Sequence, residues 1–310
     1  MKPEDHPASS FEFVKVEGAG NDFILVDGRL QPMTWDSKKI RKLCDRRRGI
    51  GADGLLYIEP RVKGGLQVRF RNPDGEVAAF CGNGARCIAA YLLLDGKLPP
   101  FIFRLEDYAV EAEPAGPGRF RTSMPDPEGR HLGPVTFPAA DGEGLEFPSK
   151  GILRAALVTV GVPHLVLLCT ADLFDRPVSQ WGPPLSRHAV VGPSRANVNL
   201  ILKEGPPEKL PKSRPDQPME RKTWRLRTFE RGVEDETLAC GSGITAAAWA
   251  LTSWKEAGTP ITIQPTGRDE LTVFGETDIR TAAYKTEDRG RWFLEGPARI
   301  IYRGRINEGG

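Results

Sequence analysis

Period-two apolar runs at Phe11 to Val16, Phe23 to Val26, Leu55 to Ile58, Leu66 to Phe70 and Phe101 to Leu105 predict strands in the first half of the chain. A helical spacing is read between Thr34 and Arg46. Another follows Cys81, with Ala85, Ile88, Ala89, Leu92 and Leu93 on one face. The second half repeats this outline. Strands are predicted at Leu157 to Val160, Leu165 to Leu168, Val198 to Leu202, Trp224 to Phe229, Ile261 to Ile263 and Leu271 to Phe274. A helix after Cys240 carries Ile244, Ala247, Ala248 and Leu251 on its apolar face. The closing segment, Trp292 to Ile306, reads as one more strand, returning to complete a sheet in the first half.

Strand pairs joined by short turns argue for α+β halves over a strictly alternating parallel sheet. We expect one domain over 1–123, completed by 297–310, and a second over 124–296, with the boundary in the Pro/Gly-rich stretch Pro114 to Pro148. Lys203 to Lys222, rich in proline and charge, reads as a surface loop. With 310 residues, 39% apolar and 27% charged, the chain has the material for two ordinary cores. Its 43 basic and 41 acidic residues nearly cancel, which gives no global electrostatic case for a nucleic-acid or membrane partner. The run Asp45-Arg-Arg-Arg48 reads as a solvated helix end. The first residues lack an apolar leader, and the longest apolar stretch, Ala155 to Cys169, is too short to span a bilayer, so a cytoplasmic location is the expectation. Five cysteines, an odd number, point to free thiols rather than a disulfide framework.

One motif occurs in both halves in the same register: Phe70 to Cys81-Gly-Asn-Gly-Ala, and Phe229 to Cys240-Gly-Ser-Gly-Ile. Glycines around a small polar residue let successive N–H groups of a helix start point at one acceptor, so Gly82-Asn83-Gly84 and Gly241-Ser242-Gly243 can each cradle a carboxylate or phosphate. The same field is expected to lower the pKa of Cys81 and Cys240 below the usual thiol value of about 8.5. A single copy reads as a small buried residue with close-packing glycines. Two copies in register favour chemistry. Cys44, Cys87 and Cys169 lack the glycines and read as core. No Cys/His spacing for zinc and no close redox pair is present, so no metal is expected.

The ordered set Gly18-Ala-Gly-Asn-Asp-Phe, Arg48-Gly-Ile-Gly-Ala-Asp-Gly, Asn72-Pro-Asp-Gly, Cys81-Gly-Asn-Gly-Ala-Arg-Cys, Pro163-His164, Asn197, Glu230-Arg-Gly and Ala239-Cys-Gly-Ser-Gly resembles the diaminopimelate epimerases, in order from about residue 11 to 306. The resemblance implies two pseudo-symmetric domains, each a mostly antiparallel sheet wrapped around a central helix, with the active site in the cleft between them. It implies cofactor-independent epimerisation of LL-2,6-diaminopimelate to the meso isomer, for lysine and peptidoglycan precursors. One cysteine thiolate would remove the α-proton while the opposite thiol protonates the other face; Cys81 and Cys240 match those positions. His164 and Glu230 match their protonation partners. Asn21, Asn72, Asn197 and Arg231 match substrate-binding positions, with Arg231 suited to grip the distal carboxylate.

Two features depart from the family pattern. Val162 stands where many relatives have Asn, and the segment from Glu230 to Cys240 is one residue longer. Rival readings are a proline or hydroxyproline epimerase, a non-catalytic anion-binding protein and a thiol redox protein. The oligomeric state, a homodimer included, is not set by the sequence.

Overall fold

The computed structural model describes residues 10–60, 65–78, 80–93, 101–132, 151–204, 224–275 and 292–307. Contacts divide the chain into two compact units, Met1–Phe120 with Ala298–Gly310, and Arg121–Pro297. In the first unit β1 (Ser10–Gly18) turns into β2 (Asn21–Asp27) through Ala19 and Gly20, with φ of 54° and 92°. Two successive positive φ values match the twist of a tight hairpin. Helix α1 (Ser37–Cys44), capped by the Asp36 carboxylate, leads to β3 (Leu55–Ile58) and β4 (Leu66–Arg71). Helix α2 (Gly82–Leu93) then precedes β5 (Phe101–Leu105) and β6 (Tyr108–Gly116).

The run Phe23-Ile24-Leu25-Val26 is apolar throughout because both faces of this sheet are covered. Phe23 and Leu25 face the α2 side, with Leu56, Val68, Phe70 and Phe103, while Ile24 and Val26 face the α1 side, with Phe11, Ile40 and Tyr57.

The chain continues through β7 (Arg119–Met124), β8 (Glu128–Leu132), β9 (Ile152–Val160) and β10 (Val162–Cys169). Two short helices, α3 (Ala171–Phe174) and α4 (Val178–Ser186), lead to β11 (Asn197–Lys203). Then come β12 (Trp224–Glu230), β13 (Asp235–Thr237) and α5 (Gly241–Ser253). The unit closes with β14 (Ile261–Pro265), β15 (Leu271–Phe274) and β16 (Trp292–Pro297). The last strand, β17 (Arg299–Asn307), pairs with β1.

The two units share one pairing scheme. From β17 through β1, β2, β3, β4, β5 and β6, successive pairs run antiparallel, antiparallel, parallel, antiparallel, parallel, antiparallel. From β8 through β9, β10, β11, β12, β14 and β15 the series is identical. Each sheet is mostly antiparallel and packs on its own cysteine-led helix: α2 against β1, β2, β6 and β17, and α5 against β9, β10, β11, β14, β15 and β16. The fold is therefore α+β with two pseudo-symmetric halves, as expected. Helix α5 is apolar nearly all round, which suits a helix enclosed by strands; Ala246, Ala247, Ala248 and Ala250 are all fully buried.

One expectation needs correction, and one stretch carries strands that the sequence pattern did not predict. Trp292 to Ile306 is not one strand: it breaks at Ala298, so β16 pairs with β15 while β17 pairs with β1 and completes the first unit's sheet as expected. The Pro/Gly-rich stretch from Pro114 is strand through much of its length to Leu132. In β7 the alternate residues Phe120, Thr122 and Met124 are buried, a period-two signal hidden by the surrounding composition. Most of the expected surface loop, Lys203 to Lys222, lies outside the described residues. Among the described residues, no helix is long and apolar enough to cross a membrane.

Candidate active site

Cys81 stands immediately before α2. Its carbonyl accepts the first helical bond from the Ala85 N–H (2.9 Å), and the Gly84 N–H points at its sulfur (3.3 Å). Three separate sequence motifs meet beside this loop. The Asn83 side chain donates to Asn21, and Asn21 donates to Asp53 (3.1 Å). Arg46 bridges Asp53 (2.5 Å) and Asp22 (2.7 Å), and the buried Lys15 also pairs with Asp22 (2.7 Å). Burial alone would raise the Asp22 carboxyl, but hydrogen bonds and charges from Arg46 and Lys15 outweigh it and hold the pKa at about 2. On its other side Asn83 accepts from the fully buried Arg86 (2.6 Å). Arg46 is exposed just after the end of α1, as expected, and is also one anchor of a polar chain that runs inward to Arg86. Asn72 is held in a turn closed by its own main chain, with its N–H to Glu76 (2.9 Å) and its carbonyl to Gly75 (2.9 Å).

Cys240 is the N-cap of α5, and its carbonyl accepts from Ile244 (2.9 Å). Its sulfur receives the Gly243 N–H and lies 3.4 Å from the Ser242 hydroxyl. The expected lowering of this thiol's pKa does not hold. Burial, and then the neighbouring Glu230 carboxylate, raise it well above the usual value, and the Gly243 and Ser242 contacts do not compensate. Desolvation penalises the thiolate more than a helix start rewards it when a carboxylate is also adjacent.

Glu230 ends β12 and Arg231 begins the turn after it. The Arg231 N–H donates to Asn197 Oδ1 (3.0 Å), and its guanidinium holds the Ser194 carbonyl. His164 on β10 is paired in register with Asn197 on β11 and is fully buried. Burial, and then the charge of Arg231, push its pKa down to about 3, so the ring is neutral at ordinary pH. Asn199 fixes its tautomer. Thr228 donates to Asn199 Oδ1 (3.0 Å), which leaves Asn199 Nδ2 to donate to His164 Nδ1 (3.2 Å). The ring proton then sits on Nε2, which is buried without a hydrogen-bond partner among the described residues.

The expected residues thus fall into two constellations: Asn21, Cys81, Gly82, Asn83 and Gly84 in the first unit, and His164, Asn197, Glu230, Arg231, Cys240, Gly241, Ser242 and Gly243 in the second. Asp53, Arg86, Asn199 and Thr228 were not singled out from sequence. Asn199 carried a legible signal, being a polar residue two positions after Asn197 on an otherwise apolar strand. Among the described residues, no group of three His, Cys, Asp or Glu side chains is placed to hold a metal ion. Cavities of about 810 and 340 Å³ flank α1 and include none of the expected site residues.

The family model for diaminopimelate epimerase matches residues 13–111. A diaminopimelate epimerase of Gemmatimonas aurantiaca is 36% identical, covering 95% of this chain and 98% of the relative. A phenazine biosynthesis protein of the PhzF family from Bacillus anthracis superposes with a TM-score of 0.68 at 12% identity, covering 96% and 99% of the two chains. A hydroxyproline epimerase from Agrobacterium vitis, solved with bound trans-4-hydroxy-L-proline, gives 0.58 at 14% identity, covering 97% and 92%. At such identities these structures show the shared fold alone, whereas the full-length likeness to the Gemmatimonas aurantiaca protein shows kinship: this chain belongs to the diaminopimelate epimerase family.

Proposed function

We propose that this protein interconverts LL- and meso-2,6-diaminopimelate by direct proton transfer at one α-carbon, with Cys81 and Cys240 as the two acid–base groups and no cofactor. One thiolate takes the α-proton and becomes a thiol; the other thiol gives its proton to the opposite face and becomes a thiolate. The observation that carries this reading is the repeated sulfur environment. Each thiol heads a buried helix and receives the N–H of the second glycine of its Cys-Gly-x-Gly motif, Gly84 or Gly243.

The α-proton of an amino acid is very weakly acidic, so the carbanionic transition state needs fixed dipoles near the α-carboxylate. Helix-start N–H groups at Gly82-Asn83-Gly84 and Gly241-Ser242-Gly243 supply such dipoles without reorganisation. Glu230, hydrogen-bonded to Cys240, is the partner through which that thiol exchanges its proton. His164, neutral with its proton on Nε2, serves as a donor. Asn21, Asn72, Asn197 and Arg231 bind the substrate, Arg231 releasing Ser194 to pair with the distal carboxylate. The product would feed lysine and peptidoglycan precursor synthesis in the cytoplasm.

The test is incubation of the purified protein with LL-diaminopimelate in deuterated water. We expect the meso isomer, with deuterium at one α-carbon only. Absence of any stereochemical change, or a strict requirement for added pyridoxal phosphate, would refute the proposal.

A further inference from the structure

The two motifs differ at their sixth position. Counting from the cysteine, Arg86 in the first motif stands where Thr245 stands in the second. Both side chains bond the equivalent carbonyl: Arg86 Nη1 donates to Gly82 O (3.3 Å) and Thr245 Oγ1 donates to Gly241 O (3.0 Å). The backbone is braced in the same way in both halves, but only the first brace carries a charge.

That charge is costly where it stands. Arg86 is 0% exposed, its Nε has no hydrogen-bond partner and no carboxylate pairs with it among the described residues. Burial lowers its pKa to about 10, which still leaves it cationic at neutral pH. A threonine would brace that carbonyl without such desolvation, as Thr245 does, and the second bond of Arg86, to the Asn83 amide oxygen (2.6 Å), needs only a neutral donor such as a glutamine amide, so bracing does not account for a charged residue.

The groups whose charge acts on this guanidinium are, in order of effect, Cys87, Cys81, Arg119 and Glu17. Arg119 repels it. Glu17 is already paired with Arg299 (2.8 Å). Cys87 is fully buried on α2 and burial pushes its thiol far up, so it stays neutral. Cys81, only half-buried and receiving the Gly84 N–H, is the remaining sulfur able to carry the counter-charge.

We infer that Arg86 is a positioning residue for the base: its buried guanidinium holds the resting thiolate on Cys81, while Glu230 keeps Cys240 as the thiol. The two sulfurs therefore enter the reaction with assigned charges. A turnover that starts at Cys81 moves the negative charge to Cys240, and solvent exchange returns it. This assignment rests on the proposed two-thiol chemistry.

The experiment is peptide-resolved alkylation by iodoacetamide across pH, on the full-length protein. Midpoints are compared, because the two thiols differ in exposure. Cys81 should reach half-maximal alkylation at a lower pH than Cys240. Arg86→Gln should raise the Cys81 midpoint by about one unit, a tenfold loss of alkylation rate at neutral pH, and leave the Cys240 midpoint in place, whereas Arg86→Lys should keep the Cys81 midpoint near that of wild type. An arginine that merely props the loop would change the melting temperature and not the midpoint. A Cys240 midpoint at or below that of Cys81 in the unmodified protein overturns the assignment without any variant, as does an unmoved Cys81 midpoint in Arg86→Gln. Failure of the wild type to epimerise diaminopimelate would sink the functional reading and leave these midpoints to be judged separately.

Discussion

Helices α2 and α5 occupy equivalent places in two sheets of identical pairing order, and each is entered through Cys-Gly-x-Gly with an N–H three residues on aimed at the sulfur. Their surroundings diverge. The charge acting on Cys81 is the buried Arg86 cation; beside Cys240 it is the half-buried Glu230 carboxylate. A duplicated backbone reproduces geometry, because helix start, glycine turn and sheet register follow from local pattern. Electrostatics are set by single side chains, and these differ between the halves. A reaction needing one base and one acid requires both the sameness and the difference.

The comparison breaks most sharply if one cysteine is dispensable. Cys81→Ser and Cys240→Ser should each lower kcat/KM for diaminopimelate on the order of 10³-fold or more, since a hydroxyl cannot serve as the base at neutral pH. Serine at the buried Cys44, Cys87 or Cys169 should lower the melting temperature and leave turnover largely intact. Near-normal turnover by either active-site serine variant would reduce the repeat to a packing device.

A smaller effect isolates the anionic side. Glu230→Gln removes a charge that raises the Cys240 thiol, so the Cys240 alkylation midpoint should fall while turnover drops by about 10²-fold through loss of the proton partner. An unmoved midpoint would take Glu230 out of the contrast between the halves.

Much of this was legible in the chain. Strands Leu55–Ile58, Phe101–Leu105 and Leu271–Phe274 have the bounds read from apolar pattern, and both cysteine-led helices begin one residue after their cysteines. Helix α4 was not anticipated, because Pro183 and Pro184 lie inside it and mask the signal of the fully buried Trp181. The chain of bonds through Asp53, Asn21, Asn83 and Arg86 was equally hidden. Its members are scattered over β2, the loop before β3 and the start of α2, and only tertiary packing brings them into reach. The thiol of Cys240 was misjudged for the same reason: helix-start dipoles can be read locally, but desolvation depends on the whole fold.

The second glycine of each motif sharpens the comparison sterically. A Cβ at Gly243 would fall 2.3 Å from Asn199 Oδ1, and that amide cannot give way because it is held by Thr228 and His164. At Gly84 the nearest atoms to a Cβ are Leu56 Cδ2 at 3.3 Å and the Cys81 Cβ and sulfur at 3.5 and 3.6 Å. Gly243→Ala should therefore cost about 1–3 kcal/mol in urea unfolding, and Gly84→Ala less than about 1 kcal/mol. Equal losses at the two positions would mean that Asn199 is freer to move than its hydrogen bonds indicate.

The smallest effect expected is a pH dependence confined to the second half. Three of the four histidines, His131, His164 and His188, lie there, and His164 has its pKa pushed from 6.5 down to about 3 by burial and by Arg231. Between those values the unfolded chain binds a proton that the native state does not, so His164 stabilises fully above pH 6.5 and loses that contribution as pH falls toward 3. The carboxylates held low by ion pairs, such as Asp22, lose theirs as pH falls from the ordinary value of 3.8 to about 2, so the interval from pH 6.5 to 5.5 reports the histidines. Over that unit His164 should account for at most about 1 kcal/mol. Thermal unfolding should show the slope in the wild type and its reduction in His164→Gln. The half-exposed His188, lowered by burial to a lesser extent, should contribute less, so His188→Gln serves as the control. Hydrogen exchange should place the acid-induced loosening at α5 and not at α2; equal loosening of both helices would show that the two halves lose stability together and that His164 is not its source.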